Sequence, residues 1–382
     1  MYIGINDVFF ISHNDADGYM AMANMFNSVI GFDNIIGNPY IESEKQTAIM
    51  CLDYPDLFLN LNYPMEFPYE KVPENRIVFI TDYSFTEETV HILYEIAKKS
   101  KRVVWTDHHK TSMWFKNHPA EEIDEKIIAI LYDGSSSTMT THYINKFLEI
   151  YLVINNYSYI SELRLTEALY AFMDNLTDTP RKVAEYIADI YEKDSKANLI
   201  SVFAKTGLAD IEPPMYIKLI DDYDIWKHEY DTTLAFHYGL DMFNHGVYVN
   251  LIRDNLCGSD RTMLDIFEEG DVIERYINRQ NEEISTKYSF VRRFFYDEEH
   301  GMVDILCVNG RGNSFVFGDK FDQYPFCLLY HYDGDTWKYS IYCHKKYLEQ
   351  GYDASIIAKD YGGGGHAGAS GFSTKNLLEL LT

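Results

Sequence analysis

The sequence predicts an α/β protein with a mostly parallel sheet in its first part and a smaller α/β domain near its end. Short, continuously apolar runs alternate with helical patterns up to about Leu131, as in sheets that are covered by helices on both faces. Further along, a long charged helical pattern leads into strands that alternate apolar and polar residues. A chain of 382 residues also exceeds the usual size of a single domain.

The strands of the first sheet are expected at apolar runs that end in polar residues. In chain order, these runs are Val8–Ile11, Ala48–Leu52, Ile77–Ile80, Val103–Trp105 and Ile127–Leu131. An apolar helix is expected over Gly18–Val29. A second helix is expected over Thr86–Lys99, because its acidic start and basic end suit the helix dipole. Helical patterns then dominate from Ser136 to about Ile220.

The last third of the chain begins with a long charged helix, expected from about Met263 to Arg293. The strands that follow are expected at Met302–Val308, Phe326–Tyr332 and Trp337–Tyr342. Asp333-Gly334 forms a hairpin turn in this prediction, and a glycine run and a short helix close the chain. The predicted divisions are a first domain over 1–260, a helical connector over 261–298 and a second domain over 299–382.

Charge limits the classes of partner. The chain has 33 basic and 59 acidic residues, a formal net charge of −26, and such a protein repels a long polyanion. Stable binding of long nucleic acid is therefore not expected. Clustered carboxylates can nevertheless hold divalent cations that invert the local sign of the potential, so small anionic substrates fit this composition.

The cysteines and the apolar runs of the sequence indicate the cellular compartment. The five cysteines are scattered without a CxxC pair, which argues against a disulfide framework and a zinc site. The first ten residues lack the basic region and cleavage site of a signal peptide, and no run is long enough to span a membrane. We therefore expect a cytoplasmic protein without a membrane partner.

Three segments that carry aspartate or histidine directly follow predicted strands of the first sheet. His13–Asp17 follows the first strand, Asp82 the third and Asp107–His109 the fourth. The carboxyl ends of parallel strands meet at one edge, where ligands bind. A polar turn or a helix cap would explain any one segment, but three are harder to explain in this way. Mixed carboxylate and imidazole ligands suit manganese, iron or cobalt better than structural zinc.

Two further segments stand later in the chain. Asp221–Asp224 carries three aspartates, for which an acidic helix end is the simpler explanation. Gly362–Gly365 precedes His366, and glycines let a backbone approach an anion closely with its N–H groups. The lysine and the Ser/Thr of a P-loop are absent after these glycines, and a flexible linker is the alternative.

Together these segments resemble the DHH phosphoesterase superfamily, in the branch with an attached DHHA1 domain. That branch includes RecJ-type exonucleases, oligoribonucleases and cyclic-dinucleotide phosphodiesterases. The motifs His-x-Asp-x-Asp-Gly, a distant Asp, Asp-His-His and Gly-Gly-Gly-His occur in the family's order between His13 and Gly371. The resemblance implies a DHH catalytic domain, a connector and a DHHA1 substrate-binding domain. It also implies two divalent ions, manganese first, with magnesium or cobalt as alternatives.

The resemblance also implies roles for individual residues. The implied metal ligands are His13, Asp15, Asp17, Asp82, His108 and either Asp222 or Asp224. Asp178 is a further candidate ligand. Asp107 and His109 are the implied catalytic residues, the first orienting a histidine and the second facing the substrate phosphate. Tyr342 stands where relatives often have a phosphate-binding arginine, which Arg311 or Lys345 would replace. The other implied substrate contacts are Gly363, Gly364, Gly365 and His366.

The expected function is metal-dependent hydrolysis of phosphodiester bonds. The expected substrate is a short oligonucleotide, cleaved by an exonuclease of the oligoribonuclease type that releases mononucleotides. Hydrolysis of a cyclic or linear dinucleotide messenger is the alternative enzyme activity. A catalytically inactive nucleotide-binding protein is the alternative from another class. The sequence leaves homodimer formation open.

Overall fold

The computed structural model describes residues 3–30, 49–52, 67–154, 160–174, 182 and 212–381. Helices and strands are numbered in chain order within these residues. The described chain divides into two compact units, the first ending at Asp271 and the second beginning at Val272. Among these residues, none of the helices combines the length and apolar character that a membrane span requires.

Five strands form the sheet of the first unit. Strands β1 to β5 are Val8–His13, Ile49–Leu52, Ile77–Thr81, Arg102–Asp107 and Ile127–Leu131. Their order across the sheet is β2-β1-β3-β4-β5, and every neighbouring pair is parallel. The predicted parallel sheet is therefore confirmed. In this order the chain changes direction beside β1, and such a switch point opens a crevice at the carboxyl ends of the strands.

Helices cover both faces of this sheet. Helices α1 to α7 are Ala16–Ile30, Val90–Lys99, Ser137–Ile154, Glu162–Asp174, Met215–Asp224, Thr233–Leu240 and Gly246–Leu256. Successive residues of β1 enter different cores, because Phe10 packs with Phe79 and Ile144, whereas Phe9 packs with Trp105. Side chains of a strand point alternately to its two faces. Burial of both faces therefore explains why the strands are apolar without interruption.

The second unit contains a six-stranded mixed sheet. Strands β6 to β11 are Phe290–Asp297, Gly301–Asn309, Phe326–Tyr332, Trp337–Tyr342, Gly364–His366 and Ala369–Thr374. Their order is β10-β11-β9-β8-β7-β6, with a parallel pair only between β7 and β8. Helix α8, Arg261–Lys287, begins in the first unit and ends in the second, and α9 and α10 are Lys345–Leu348 and Ala354–Asp360. The 3-10 helices of both units are Ile5–Asp7, Tyr69–Lys71, Lys110–Asn117, Ala120–Glu122, Ser314–Gln323 and Glu379–Leu381.

The structure corrects the expected end of the long charged helix. It was predicted to reach Arg293, within a helical connector over 261–298, but α8 ends at Lys287 and β6 follows. Along β6, half-buried and exposed residues alternate over most of the strand. This period of two is typical of a strand, and pairing with β7 provides its hydrogen bonds. The limits 1–260, 261–298 and 299–382 for the domains remain a prediction.

The structure also corrects the end of the chain. A glycine run followed by a short helix was expected. The glycine run instead enters β10, which pairs antiparallel with β11, whereas a short 3-10 helix does follow, at Glu379–Leu381. A Cβ atom on Gly363 would lie 2.2 Å from the carbonyl oxygen of Gly371, and Gly365 has φ 137°. Glycine has low strand propensity, so a sequence pattern does not reveal a strand built from it. Here close backbone approach requires the glycines.

Helices α6 and α8 cross with their backbones in contact inside the first unit. A Cβ atom on Gly270 would lie 1.7 Å from the carbonyl oxygen of Ala235, and one on Gly239 would lie 2.1 Å from that of Ile266. Neither position can accept a side chain without moving a helix. The crossing holds α6, whose first residue, Thr233, donates a hydrogen bond to Asp222.

Replacing Gly270 with alanine should separate these two helices. We expect Gly270→Ala to lower the free energy of unfolding by about 1–3 kcal/mol, the usual cost of overpacking. Urea unfolding monitored by circular dichroism measures this change. Glu269→Ala, at an exposed neighbouring position, should stay within about 0.5 kcal/mol of the unmodified protein. Equal effects of the two substitutions would contradict the close approach.

Candidate metal centre at the carboxyl edge of the parallel sheet

Polar side chains converge where three strands of the first unit end. His13 ends β1, Asp82 directly follows β3 and Asp107 ends β4. Three sets of residues each place their ligand atoms within 4.8 Å of one another: His13, Asp15 and Asp82; Asp17, His108 and Asp224; and Asp82, His108 and His109. Because Asp82 and His108 belong to two sets each, the sets form one cluster. We call these seven residues the acidic centre.

Asp82 links the two halves of the acidic centre. Its Oδ1 lies 3.2 Å from Nε2 of His108, and its Oδ2 lies 3.7 Å from Nδ1 of His13. Its backbone has φ 58°, a conformation that aspartate tolerates better than most residues. The N–H of Asp82 donates to the carbonyl of Thr106 at 2.8 Å, and its side chain is buried. The backbone conformation thus places a carboxylate between two histidines.

The N-terminus of α3 holds two of the carboxylates. The N–H groups of Ser137 and Thr138 donate to Asp17 at 2.8 and 2.7 Å, and the Ser137 hydroxyl donates to Asp82 at 3.2 Å. The positive end of a helix dipole stabilises negative charge. Sequence reasoning missed these contacts. The small polar run Gly134–Thr138 is a helix-start signal that could have indicated them.

Asp107 contacts the ring of His109 and the backbone of His108, and it is not one of the seven residues of the acidic centre. It accepts hydrogen bonds from Nδ1 of His109 at 2.7 Å, from the N–H of His108 at 2.8 Å and from the hydroxyl of Ser112. With these contacts, Asp107 holds the ring of His109 in one orientation. The catalytic roles of Asp107 and His109 remain predictions, and Ser112 was not expected from the sequence.

Asp222 and Asp224, which the sequence could not distinguish, have different surroundings. Asp224 Oδ2 lies 3.2 Å from Nε2 of His108. Asp222 instead accepts hydrogen bonds from the backbone N–H groups of residues 229 and 230, at 2.8 and 3.3 Å, and from the Thr233 hydroxyl. Asp222 therefore closes the loop after α5, and only Asp224 of the two joins the acidic centre.

Burial and neighbouring charges shift the pKa values of residues in the acidic centre. Burial lowers the pKa of His108, but Asp82 and Asp224 outweigh burial and raise that pKa to about 11. Burial likewise lowers the pKa of His13, which Asp15 and Asp82 raise to about 10. Burial raises the pKa of Asp224 to about 7, against a lowering effect of His108. Without a cation, the centre therefore retains protons near neutral pH.

Two buried ligand atoms of the acidic centre lack hydrogen bonds, which indicates a site for a cation. His108 Nε2 and Asp224 Oδ2 are buried, and neither makes a hydrogen bond in the described part of the chain. Buried polar atoms are ordinarily satisfied, and coordination of a cation would satisfy both. The carboxylate and imidazole donors fit a divalent ion such as manganese. The number and identity of the ions remain predictions.

The predicted substrate residues lie in the second unit. Gly364, Gly365 and His366 form β10, which Gly363 precedes. Arg311 follows β7, four strands from β10 in the sheet, a separation of about 19 Å at the usual strand spacing. Arg311 is thus not placed beside the glycine run, and all these substrate contacts remain predictions. Asp178 lies outside the described residues.

Comparison with known proteins identifies a relative. No family model matches the chain. The chain is 24% identical over 326 residues to oligoribonuclease NrnB of Bacillus subtilis (strain 168), which covers 84% of this chain. It spans 66% of that relative's length, slightly less than two thirds. Through this relative and through its ordered motifs, the chain resembles the DHH/DHHA1 superfamily.

Two solved structures resemble the chain with low TM-scores. Exonuclease RecJ bound to manganese has a TM-score of 0.45 at 12% identity, with 96% of this chain and 85% of that chain covered. The pGpG-specific phosphodiesterase PggH from Vibrio has a TM-score of 0.41 at 12% identity, with 96% and 93% covered. Such scores carry no argument about function. The resemblance to the DHH/DHHA1 superfamily rests on the sequence relative and on the ordered motifs.

Asp222 and Asp224 should respond differently to substitution. We expect Asp222→Ala to lower the free energy of unfolding by about 2–3 kcal/mol, because it leaves buried donors unsatisfied. Asp224→Asn should preserve folding but weaken Mn²⁺ binding at least about tenfold, since even outer contacts of metal ligands have effects of this size. Urea unfolding in EDTA and calorimetric titration with Mn²⁺ measure the two effects. The opposite pattern would make Asp222 the ligand.

Asp224 should also determine how the stability of the metal-free protein depends on pH. Its pKa rises from an ordinary 3.8 to about 7 in the folded protein, so the folded state retains a proton that the unfolded state loses. The free energy of unfolding should therefore fall as pH rises from about 4 through 7. Asp224→Asn should reduce this fall by about 1–3 kcal/mol. Urea unfolding in EDTA between pH 5 and 8 tests this expectation, which identical slopes would contradict.

Proposed function

We propose that this chain is a metal-dependent phosphodiesterase that hydrolyses short oligonucleotides and releases mononucleotides. The acidic centre carries the proposal, because its carboxylates and histidines meet at the sheet edge with unsatisfied buried ligand atoms. The name of the relative, oligoribonuclease NrnB, supports the substrate class. The net charge of −26 supports a short substrate over long nucleic acid. A cytoplasmic location and homodimer formation remain predictions.

The acidic centre has enough ligands for two ions. One ion would be held by His13, Asp15 and Asp82, and a second by Asp17, His108 and Asp224. Manganese is the expected ion, with magnesium or cobalt as alternatives. When bound, two such ions supply Lewis-acid polarisation of the phosphate and a water activated for attack on phosphorus.

His109 is the residue proposed to contact the reacting phosphate. Burial lowers the pKa of His109, but Asp107 outweighs burial and raises that pKa. The hydrogen bond of Nδ1 to Asp107 leaves Nε2 as the atom that donates to a phosphoryl oxygen. A donor fixed in this way stabilises negative charge that develops during the reaction and needs no reorganisation. Asp107 acts as the positioning residue for this histidine.

Product analysis with labelled RNA tests the proposal. The protein is incubated with Mn²⁺ and 5′-labelled RNAs from dinucleotides to about twenty nucleotides, beside a cyclic dinucleotide. We expect mononucleotide release to be fastest from the shortest RNAs and to stop in EDTA. Cleavage of the cyclic dinucleotide alone would favour the messenger phosphodiesterase. Calorimetric binding of nucleotides without any product would favour an inactive nucleotide-binding protein.

Asp82→Asn provides the inactive control for this assay. Asparagine tolerates the left-handed backbone of this position better than alanine, so the substitution removes a charge with little backbone strain. We expect turnover to fall at least about 100-fold, a typical effect of removing one electrostatic contact to the transition state. Glu87→Gln removes an exposed carboxylate after the same strand and should leave turnover unchanged. Full activity of Asp82→Asn would refute the assignment of the centre.

A further inference from the structure

An aromatic group stands beside the acidic centre, at the end of α5 and in the loop that follows. Tyr223 lines a pocket together with Asp15, Asp17 and Asp224. The ring of Trp226 lies 5.4 Å from that of Tyr223 and 4.4 Å from that of His228, edge to face in both cases. We call Tyr223, Trp226 and His228 the aromatic ledge. It extends directly from a candidate metal ligand.

Trp226 is exposed although it is the largest member of the ledge. Its exposed fraction is 45%, whereas tryptophan is highly buried on average. It follows Asp224 by two residues, and its ring contacts that of Tyr223, which lines the pocket with Asp224. An exposed aromatic surface beside a charged site is suited to a ligand with both an anionic and an apolar part.

The loop that presents Trp226 is held in an unfavourable conformation. Trp226 has φ 57° and His228 has φ 52°, values at which bulky residues are rare. The N–H of Lys227 donates to the carbonyl of Asp222 at 2.9 Å, and the carboxylate of Asp222 accepts from the backbone N–H groups of residues 229 and 230. Backbone strain of this kind persists only where surrounding contacts enforce it, and it is common at ligand sites. The tryptophan is therefore pre-positioned.

We propose that Trp226 is a stacking platform for the nucleobase of the nucleotide whose phosphate lies at the acidic centre. The proposal takes its substrate class from the proposed function. Stacking does not require a positively charged side chain. It therefore suits a site that is surrounded by carboxylates, which would neutralise such a charge. Every base has an aromatic face, so a single platform accepts all four bases. Trp226 would thus hold short substrates that offer few phosphates for binding.

Calorimetry with two ligands tests the platform without any turnover. The full-length protein with Mn²⁺ is titrated with adenosine 5′-monophosphate and with ribose 5-phosphate, which lacks the base. We expect about tenfold tighter binding of the nucleotide, a typical stacking contribution. Trp226→Ala should abolish this preference and Trp226→Phe should retain most of it. Tyr170→Ala, at another aromatic position of the first unit with 42% exposure, should bind both ligands like the unmodified protein.

The outcomes separate this inference from the proposed function. A nucleotide preference that survives in Trp226→Ala, or that is missing from the unmodified protein, would overturn the platform. Loss of preference in a protein that cleaves no phosphodiester would support the platform and refute the proposed activity. In a protein that does cleave dinucleotides, Trp226→Ala should raise KM about tenfold and leave kcat within about twofold, because stacking away from phosphorus contributes to binding. An unchanged KM would also overturn the platform.

Discussion

Repulsion between carboxylates at one edge of a parallel sheet is the constraint on which the rest of this structure depends. Asp15, Asp17, Asp82 and Asp224 come from different elements and meet within a few ångströms. In a partly buried site, such charges interact strongly because little water screens them. The chain offsets the repulsion with two histidines of raised pKa and with the N-terminus of α3. Divalent cations would offset the remainder.

Hydrogen bonds distinguish Asp107 and Asp222 from Asp224. Asp107 and Asp222 accept several hydrogen bonds each, so their charge is stabilised where they lie. Asp107 positions a histidine and Asp222 closes a loop. Asp224 retains a buried oxygen without a hydrogen bond. Since buried polar groups are normally satisfied, this oxygen marks Asp224, rather than Asp222, as the candidate ligand.

Sequence patterns predicted the first sheet well and the second sheet less completely. The strands of the first sheet are apolar runs buried on both faces, and few other secondary-structure elements consist of such short, continuously apolar runs. In contrast, β6 joins a charged helix without a strong turn signal, and β10 consists of glycines and a histidine. Pairing with neighbouring strands decides both cases. Long-range pairing of this kind outweighs local propensity, so a reading of nearby residues could not find these strands.

The sequence by itself determined the α/β class, the strand ends that carry aspartate and histidine, and the order of motifs that the DHH/DHHA1 superfamily shares. Only the tertiary structure decided which aspartates face the centre. Asp222 and Asp224 end the same helix, and residues two apart on a helix differ in direction by about 200°. One therefore turns toward His108 and the other toward the backbone of the following loop. The sequence shows that both residues are aspartates, whereas the direction of each side chain depends on how α5 packs on the sheet.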